Sequence, residues 1–173
     1  MIRITRRTAM VLAASSLFVP LLSAPNAMAD PTDGKAEGTL TVNGKTTKVA
    51  YAYARSVPGF FDPNTNDTQV IVSDVPLDAA ALADGFARDD LAKAGKLHAF
   101  EITIDASGTP VSTAWRDNGF NGPEPSGLSS SDVFTKKALD DKVVEASYKS
   151  AEAAEFFGNT FSFDVTFRAS IAH

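Results

Sequence analysis

Residues 161–171 read Phe-Ser-Phe-Asp-Val-Thr-Phe-Arg-Ala-Ser-Ile, with an apolar side chain at every odd position and a polar one at every even position. A period of two sustained this long belongs to a strand with one face in a core and the other in water. The β-branched and aromatic residues that fill it suit a half-buried pleated surface. A helix would scatter Phe161, Phe163, Val165 and Phe167 around its circumference. Other strands must supply a partner for this aromatic face, so the chain is expected to be mainly β.

The upstream sequence supplies those strands. Gly38 to Val42 runs into Asn43-Gly44 and on to Lys45–Ala54. Asn-Gly between alternating runs marks a two-residue hairpin, because both turn residues need positive φ. That turn sets Val42 opposite Lys45 and Leu40 opposite Thr47. An unbroken register would then gather Leu40, Val42, Val49, Tyr51 and Tyr53 on one face. The segment from Val57 to Asn64, rich in Pro, Gly and Asp, breaks the pattern and reads as a loop. Gln69–Val72 is a short apolar strand. Leu97–Asp105 is another strand, with His98, Phe100, Ile102 and Ile104 on one face. Thr109–Arg116 follows, with Val111, Thr113 and Trp115 on one side. Asp117 to Ser131 has no period and forms the longest loop. Val133–Leu139 and Val143–Lys149 make a hairpin turned at Asp140-Asp141.

Only one stretch reads as helical, Asp78 to Ala94, with Asp78 able to cap its start and Gly95 to end it. Leu82 and Phe86 would form its apolar stripe. Gly85 weakens its middle by about 1 kcal/mol relative to Ala and allows two shorter pieces. The expected fold is α+β: mainly β with one helix, as an antiparallel sandwich or a strongly curved sheet or barrel of about eight strands.

The first 29 residues stand apart from this pattern. Arg3, Arg6 and Arg7 precede an apolar run from Ala9 to Leu22, and Ala27-Met28-Ala29 has the small-x-small form of a signal-peptidase site. The run is short for a membrane span of ~20 residues and contains Pro20. Residues 1–29 are therefore expected to be a signal peptide, with 30–173 a single β-rich domain in the periplasm or outside the cell. Thr5-Arg6-Arg7-Thr8 resembles a twin-arginine export motif, and paired arginines also suit the general route.

Removing 29 of the 173 residues leaves 144, and takes away three arginines and no acid. The remaining 13 basic and 21 acidic residues give a net charge of −8. That balance argues against nucleic acid or an anionic membrane as partner. Cysteine is absent, which excludes disulfides, thiolate metal sites and a Cys nucleophile.

Asn43-Gly44 ahead of Tyr51-Ala52-Tyr53-Ala54, then Val72-Ser73-Asp74-Val75-Pro76-Leu77, then Phe163-Asp164-Val165-Thr166-Phe167, form an order that resembles a group of small exported bacterial β-rich domains of unknown function. The resemblance spans most of the chain after residue 29 and rests on strand and turn residues. It implies one exported β-rich domain and transfers no catalytic residue.

Several side chains were weighed for chemistry. Asp62, Asn64 and Asn66 alternate as at the start of a Ca²⁺ loop, but Asp67 stands where such a loop needs Gly, and Ser73 where it needs a bidentate Glu. A turn-rich connection accounts for the same residues. His98 could act as a general base beside a carboxylate such as Glu101 or Asp164. Glu101, however, points to the opposite face of its own strand, and no nucleophile elbow or metal-ligand spacing accompanies the histidine. Asp89-Asp90 and Asp140-Asp141 are adjacent pairs whose side chains diverge, so neither makes a catalytic dyad. No catalytic, metal or cofactor-binding residue is assigned.

The remaining constellation is aromatic. Phe60, Phe61, Trp115 and Phe120 lie beside or within loops rich in Gly, Pro and Asn; covering the core is the favoured role for such rings, and they are also the candidate binding surface. The expectation is an exported, non-enzymatic binding or scaffolding domain for a protein or small ligand, with no membrane span after cleavage. An extracytoplasmic hydrolase using His98, or a carrier holding an apolar ligand inside a barrel, are the alternatives.

Overall fold

A computed structural model describes residues 34–173. The expected signal peptide and its cleavage point lie outside the described residues. Ten strands and two helices follow in the order β1 (Lys35–Val42), β2 (Lys45–Lys48), β3 (Tyr51–Pro58), β4 (Asn66–Ser73), α1 (Ala79–Ala83), α2 (Gly85–Lys93), β5 (Ala99–Ile104), β6 (Pro110–Arg116), β7 (Val133–Leu139), β8 (Val143–Lys149), β9 (Ala154–Phe156) and β10 (Asn159–Ala172). Eight of the strands form one curled sheet in the order β6-β5-β4-β3-β1-β10-β8-β7, with β2 added beside β1 and β9 beside β10. The pairing is antiparallel throughout, except for a short parallel contact in which Ile171 and Ala172 of β10 face Ala54 and Arg55 of β3.

β10 is the alternating strand, and both its edges are used along most of its length. One edge pairs with β1 from Phe161 to Arg168. The other pairs with β9 from Asn159 to Phe161 and with β8 from Asp164 to Ser170. Phe163, Val165, Phe167, Ala169 and Ile171 are buried, whereas Asp164, Arg168 and Ser170 are exposed. Across the interior, Phe163 stacks on Phe100 of β5 at 4.5 Å and meets Tyr148 of β8 at 4.7 Å. β5 and β10 are separated in the sheet by three strands, so their rings meet only because the sheet curls into a half-barrel around this face. The register shifts in β5–β6 and β7–β8 add to that curl.

The opposite, convex face carries the helices over a smaller core of Tyr53, Ile71, Leu77, Ala81, Leu82, Leu97 and Ala99. The expected grouping of Tyr51 and Tyr53 with Leu40 is corrected here. Asn43 and Gly44 do take positive φ, and Val42 and Leu40 do face Lys45 and Thr47. Beyond Val49, whose N–H donates to Gly38 O, the register slips by one residue, so that Tyr51 faces Lys35. A one-residue slip exchanges the two faces of a strand. Ala52 and Ala54 therefore join Leu40 in the half-barrel, and both tyrosines turn to the helices. Gly38 sits at the slip with φ +121, where a Cβ would collide with Asp164 O of the neighbouring strand.

The single expected helix is two. Asp78 caps α1 through Ala81 N, but Asp84 then turns extended and caps α2 through Phe86 N. Phe86 consequently leaves the face of Leu82 and is 79% exposed. The carbonyls freed at the end of α1 are met by arginines: Arg88 Nη1 donates to Ala81 O and Leu82 O, and Arg55 Nη1 to Leu82 O and Ala83 O. Gly95, with φ +66, ends α2, and Lys96 N–H reaches back to Leu91 O as a Schellman motif requires.

Arg88 also grips Glu101 of β5 with two parallel bonds of 2.9 and 3.1 Å, and both side chains are buried. Gln69 Nε2 donates to the same carboxylate at 3.0 Å. Arg116 Nε lies 3.0 Å from both Glu101 Oε1 and Asp89 Oδ1, close enough for charge attraction but without the in-line N–H geometry of a hydrogen bond.

Two expectations follow for stability. Phe167→Ala should cost about 3–5 kcal/mol through lost burial and the cavity it leaves, whereas Ser170→Ala should stay within about 0.5 kcal/mol; coincident urea midpoints for the two variants would contradict the two-faced strand. Glu101→Gln should cost about 3–5 kcal/mol, because it strands the buried Arg88 guanidinium, and the same urea melts would expose a smaller loss.

Candidate functional site

The four aromatic residues expected to share a surface are separated. Trp115 is 2% and Phe120 8% exposed. Phe120 meets Trp115 edge-on at 5.5 Å and Phe161 at 6.0 Å, closing one end of the half-barrel. Phe60 and Phe61 lie elsewhere, at the tip of the β3–β4 hairpin, 60% and 79% exposed, with their rings edge-to-face at 5.0 Å.

The loop that carries them is built to hold its shape. Gly59 N–H donates to Thr65 O at 2.9 Å and Thr65 N–H to Asp62 O at 3.0 Å. Asp62 Oδ1 accepts from both the backbone and the side chain of Asn64, an Asx turn that closes the bend. Thr65 Oγ1 donates to Asp62 O, and Phe60 N–H donates at 2.8 Å to the carboxylate of Asp67, which is itself buried. At Gly59 a Cβ would collide with Asp62 O and Thr65 Oγ1, so glycine is needed for this close approach. Of the side-chain oxygens that could begin a calcium loop, Asp62 Oδ1 is thus engaged within the turn. Among the described residues, no cluster of three His, Asp or Glu side chains has an arrangement that could hold a metal ion.

Two clefts adjoin the tip, of about 200 and 260 Å³, and both are lined by Asp67, Asp105 and Ala106. Phe61 and Asp62 line the smaller; Asp140, Asp141 and His173 line the larger. No lysine or arginine lines either, although Lys136 reaches Ser107 O beside them. Burial alone would push the Asp105 carboxyl up, but donors outweigh it: the Ser107 hydroxyl and nearby backbone N–H groups hold it below the usual carboxylate range. Asp140 is held low in the same way by the N–H groups of Lys142 and Val143. The clefts thus present fixed negative charge beside two exposed phenylalanines.

His98 has a carboxylate partner, but it is Asp117 in place of the expected Glu101 or Asp164. His98 Nδ1 lies 2.8 Å from Asp117 Oδ2. Glu101 is committed to Arg88, and Asp164 is exposed on β10. Asp117 is held further by Gly119 N–H on its other oxygen, while its own N–H donates to Glu124 Oε1. His98 N–H donates to Asp74, and Asp74 N–H returns to His98 O. Among the described residues, no hydroxyl hydrogen-bonds the imidazole. Asp117 lines a shallow depression of about 410 Å³ with Asp89, Lys93 and Glu124, but His98 does not. The pair ties the start of β5 to the 117–124 loop. The carrier alternative meets a filled interior, since Phe100, Tyr148, Phe163 and Trp115 pack ring against ring.

No helix among the described residues is long and apolar enough to cross a membrane. No family model, curated protein or solved structure matches the chain.

A carboxylate with a depressed native pKa stabilises the fold above its unfolded pKa of about 3.9 and loses that contribution as pH falls through the native value. Asp105→Asn should therefore lower the melting temperature at pH 7, with the gap to the parent narrowing as pH falls below about 3.9; a gap independent of pH would show that Asp105 contributes no charge-dependent stability.

Proposed function

We propose that the chain is an exported, non-enzymatic binding domain that engages a protein partner through the β3–β4 tip. The single observation that carries this reading is the pair Phe60 and Phe61, exposed on a loop whose backbone is fixed by its own hydrogen bonds. An apolar pair in water is unfavourable by itself, and a rigid loop presents it at low entropic cost on binding. The acidic clefts alongside set the character of the partner: an apolar pocket rimmed by lysine or arginine, attracted by charge and anchored by the rings. Export rests on the sequence of residues 1–29 and on the resemblance to exported domains. The His98–Asp117 pair serves the fold in this reading.

Replacing Phe61 with the photo-crosslinker p-benzoylphenylalanine should trap one discrete, basic partner from the compartment in which the protein resides. The same group at exposed Lys45, at the opposite end of the sheet, should trap none. The Phe60→Ser/Phe61→Ser double variant should keep its melting temperature within about 2 °C, because solvent-exposed side chains contribute little to stability, and should lose the partner. Equal capture at both positions, or partner retention by the double variant, would overturn the proposal.

A further inference from the structure

The curled sheet leaves a seam between its two edge strands, β6 and β7, and residues 117–132 cross it as a strap. Ser126 bridges to Ala114 on the open edge of β6, and Thr113 Oγ1 donates to Gly127 O. Beneath this strap is a cavity of about 140 Å³, walled by Trp115, Phe156, Phe161 and Phe163, with Asp132 and Glu155 also on its lining. It is separate from the hairpin tip and from the acidic clefts, with which it shares no residue.

Three properties converge on one class of ligand. The volume matches the cavity of about 150 Å³ known to hold a single benzene-sized molecule, so the occupant is one small ring or one substituted ammonium head. The walls are aromatic and steeply inclined: Trp115 lies 5.6 Å from Phe161 at 75° and 6.2 Å from Phe163 at 65°. These three rings pack against one another as one aromatic wall, and aromatic faces attract cations, tryptophan most strongly. The charge at the lining is negative and uncompensated. Neither Asp132 nor Glu155 has a lysine, arginine or histidine within ion-pair distance among the described residues. Burial raises Asp132 above the usual carboxylate range, as expected of a carboxylate short of solvent and lacking a cationic partner. Burial and the charge of Asp132 together push the Tyr148 hydroxyl up to about 12. A polar floor is present as well, since Ser150 Oγ accepts from Phe163 N–H and keeps its own proton for a ligand acceptor.

We infer that the seam cavity under the strap is a binding site for a small organic cation, with an alkylammonium head held against Trp115, Phe156, Phe161 and Phe163 and its charge answered by Asp132 and Glu155. A neutral ring would fill the volume but leave half-buried Asp132 without a counter-charge, while Glu155 stands exposed at the rim. An anion would be repelled by them. The site does not depend on the partner-binding role of Phe60 and Phe61.

Trp115 is the sole tryptophan of the chain and lines this cavity, so tryptophan emission reports on one of its walls. Titration of the full-length protein with choline at constant ionic strength should change the emission saturably. Its uncharged isostere, 3,3-dimethylbutan-1-ol, should bind at least about tenfold more weakly, the factor expected when cation–π and carboxylate contacts are lost. Asp132→Asn should weaken choline by a similar factor with its melting temperature preserved. Phe156→Ala, at a half-exposed position, gives a second variant with the same expected loss. Phe60→Ser/Phe61→Ser should bind choline as the parent does, which separates this inference from the proposed function. An isostere that binds as tightly as choline, glucose binding where choline does not, or no saturable change up to roughly 100 mM choline, a concentration far weaker than any specific site, would each overturn it.

Discussion

Phe163 stacked on Phe100 is the contact on which the rest of the molecule depends. It joins β10 to a strand from which three others separate it in the sheet, and such a contact exists only if the sheet bends. Once it bends, Trp115, Phe161 and Phe120 fall within ring contact of one another and Tyr148 within contact of Phe100 and Phe163, and the concave face becomes a continuous aromatic interior. The bend needs Gly38 where β1 presses against Asp164, since any side chain there would hold the strands apart. It also leaves two unpaired edges, which is why residues 117–132 run across the seam instead of turning directly into β7.

The convex face is organised by charge. Glu101, set among apolar strands, is satisfied by Arg88, Gln69 and the nearby Arg116, while Arg88 and Arg55 also supply the hydrogen bonds that the end of α1 lacks. One buried cluster therefore fixes both the break between the helices and their seat on β4, β5 and β6. Buried ion pairs contribute little net stability relative to well-packed apolar groups, but they strongly disfavour arrangements that separate the partners. Here the arrangement so selected keeps α1 and α2 distinct and turns Phe86 outward.

What the sequence disclosed was what repeats. The period of two in β10, the Asn43-Gly44 turn and the Asp140-Asp141 hairpin carry their structure in neighbouring residues, and each forms where those residues place it. What it concealed depended on distant partners. The tyrosines of β3 change face because of a slip at Gly38, a glycine inside a strand pattern being the available clue. Asp117 meets His98 only because β5 and β6 pair, and no spacing between residues 98 and 117 announces it. Nothing in the spacing of Arg88 on α2 and Glu101 on β5 announces their buried pair. For the aromatic residues, loop composition distinguished none of the four: Phe60 and Phe61 remain in water and Phe120 is drawn inward, because only its loop crosses the open seam.

The position of β10 also fixes the order in which the molecule can be assembled. The strand at the middle of the sheet is the last of the described strands in chain order. Its partner β1 is among the first, and the bond from Thr160 to Asn43 joins residues 117 apart in sequence. Until residues 159–172 are available, β1 has one open edge, the β7–β8 hairpin has no sheet to join, and the aromatic interior has lost a wall. Closing so long a loop carries an entropic cost that local pairings do not repay. Without β10 the chain can still form the local β3–β4–β5–β6 pairings, but the half-barrel closes only when β10 joins β1 to β8. The half-barrel is therefore closed from its middle, by the strand for which its two flanks have to wait.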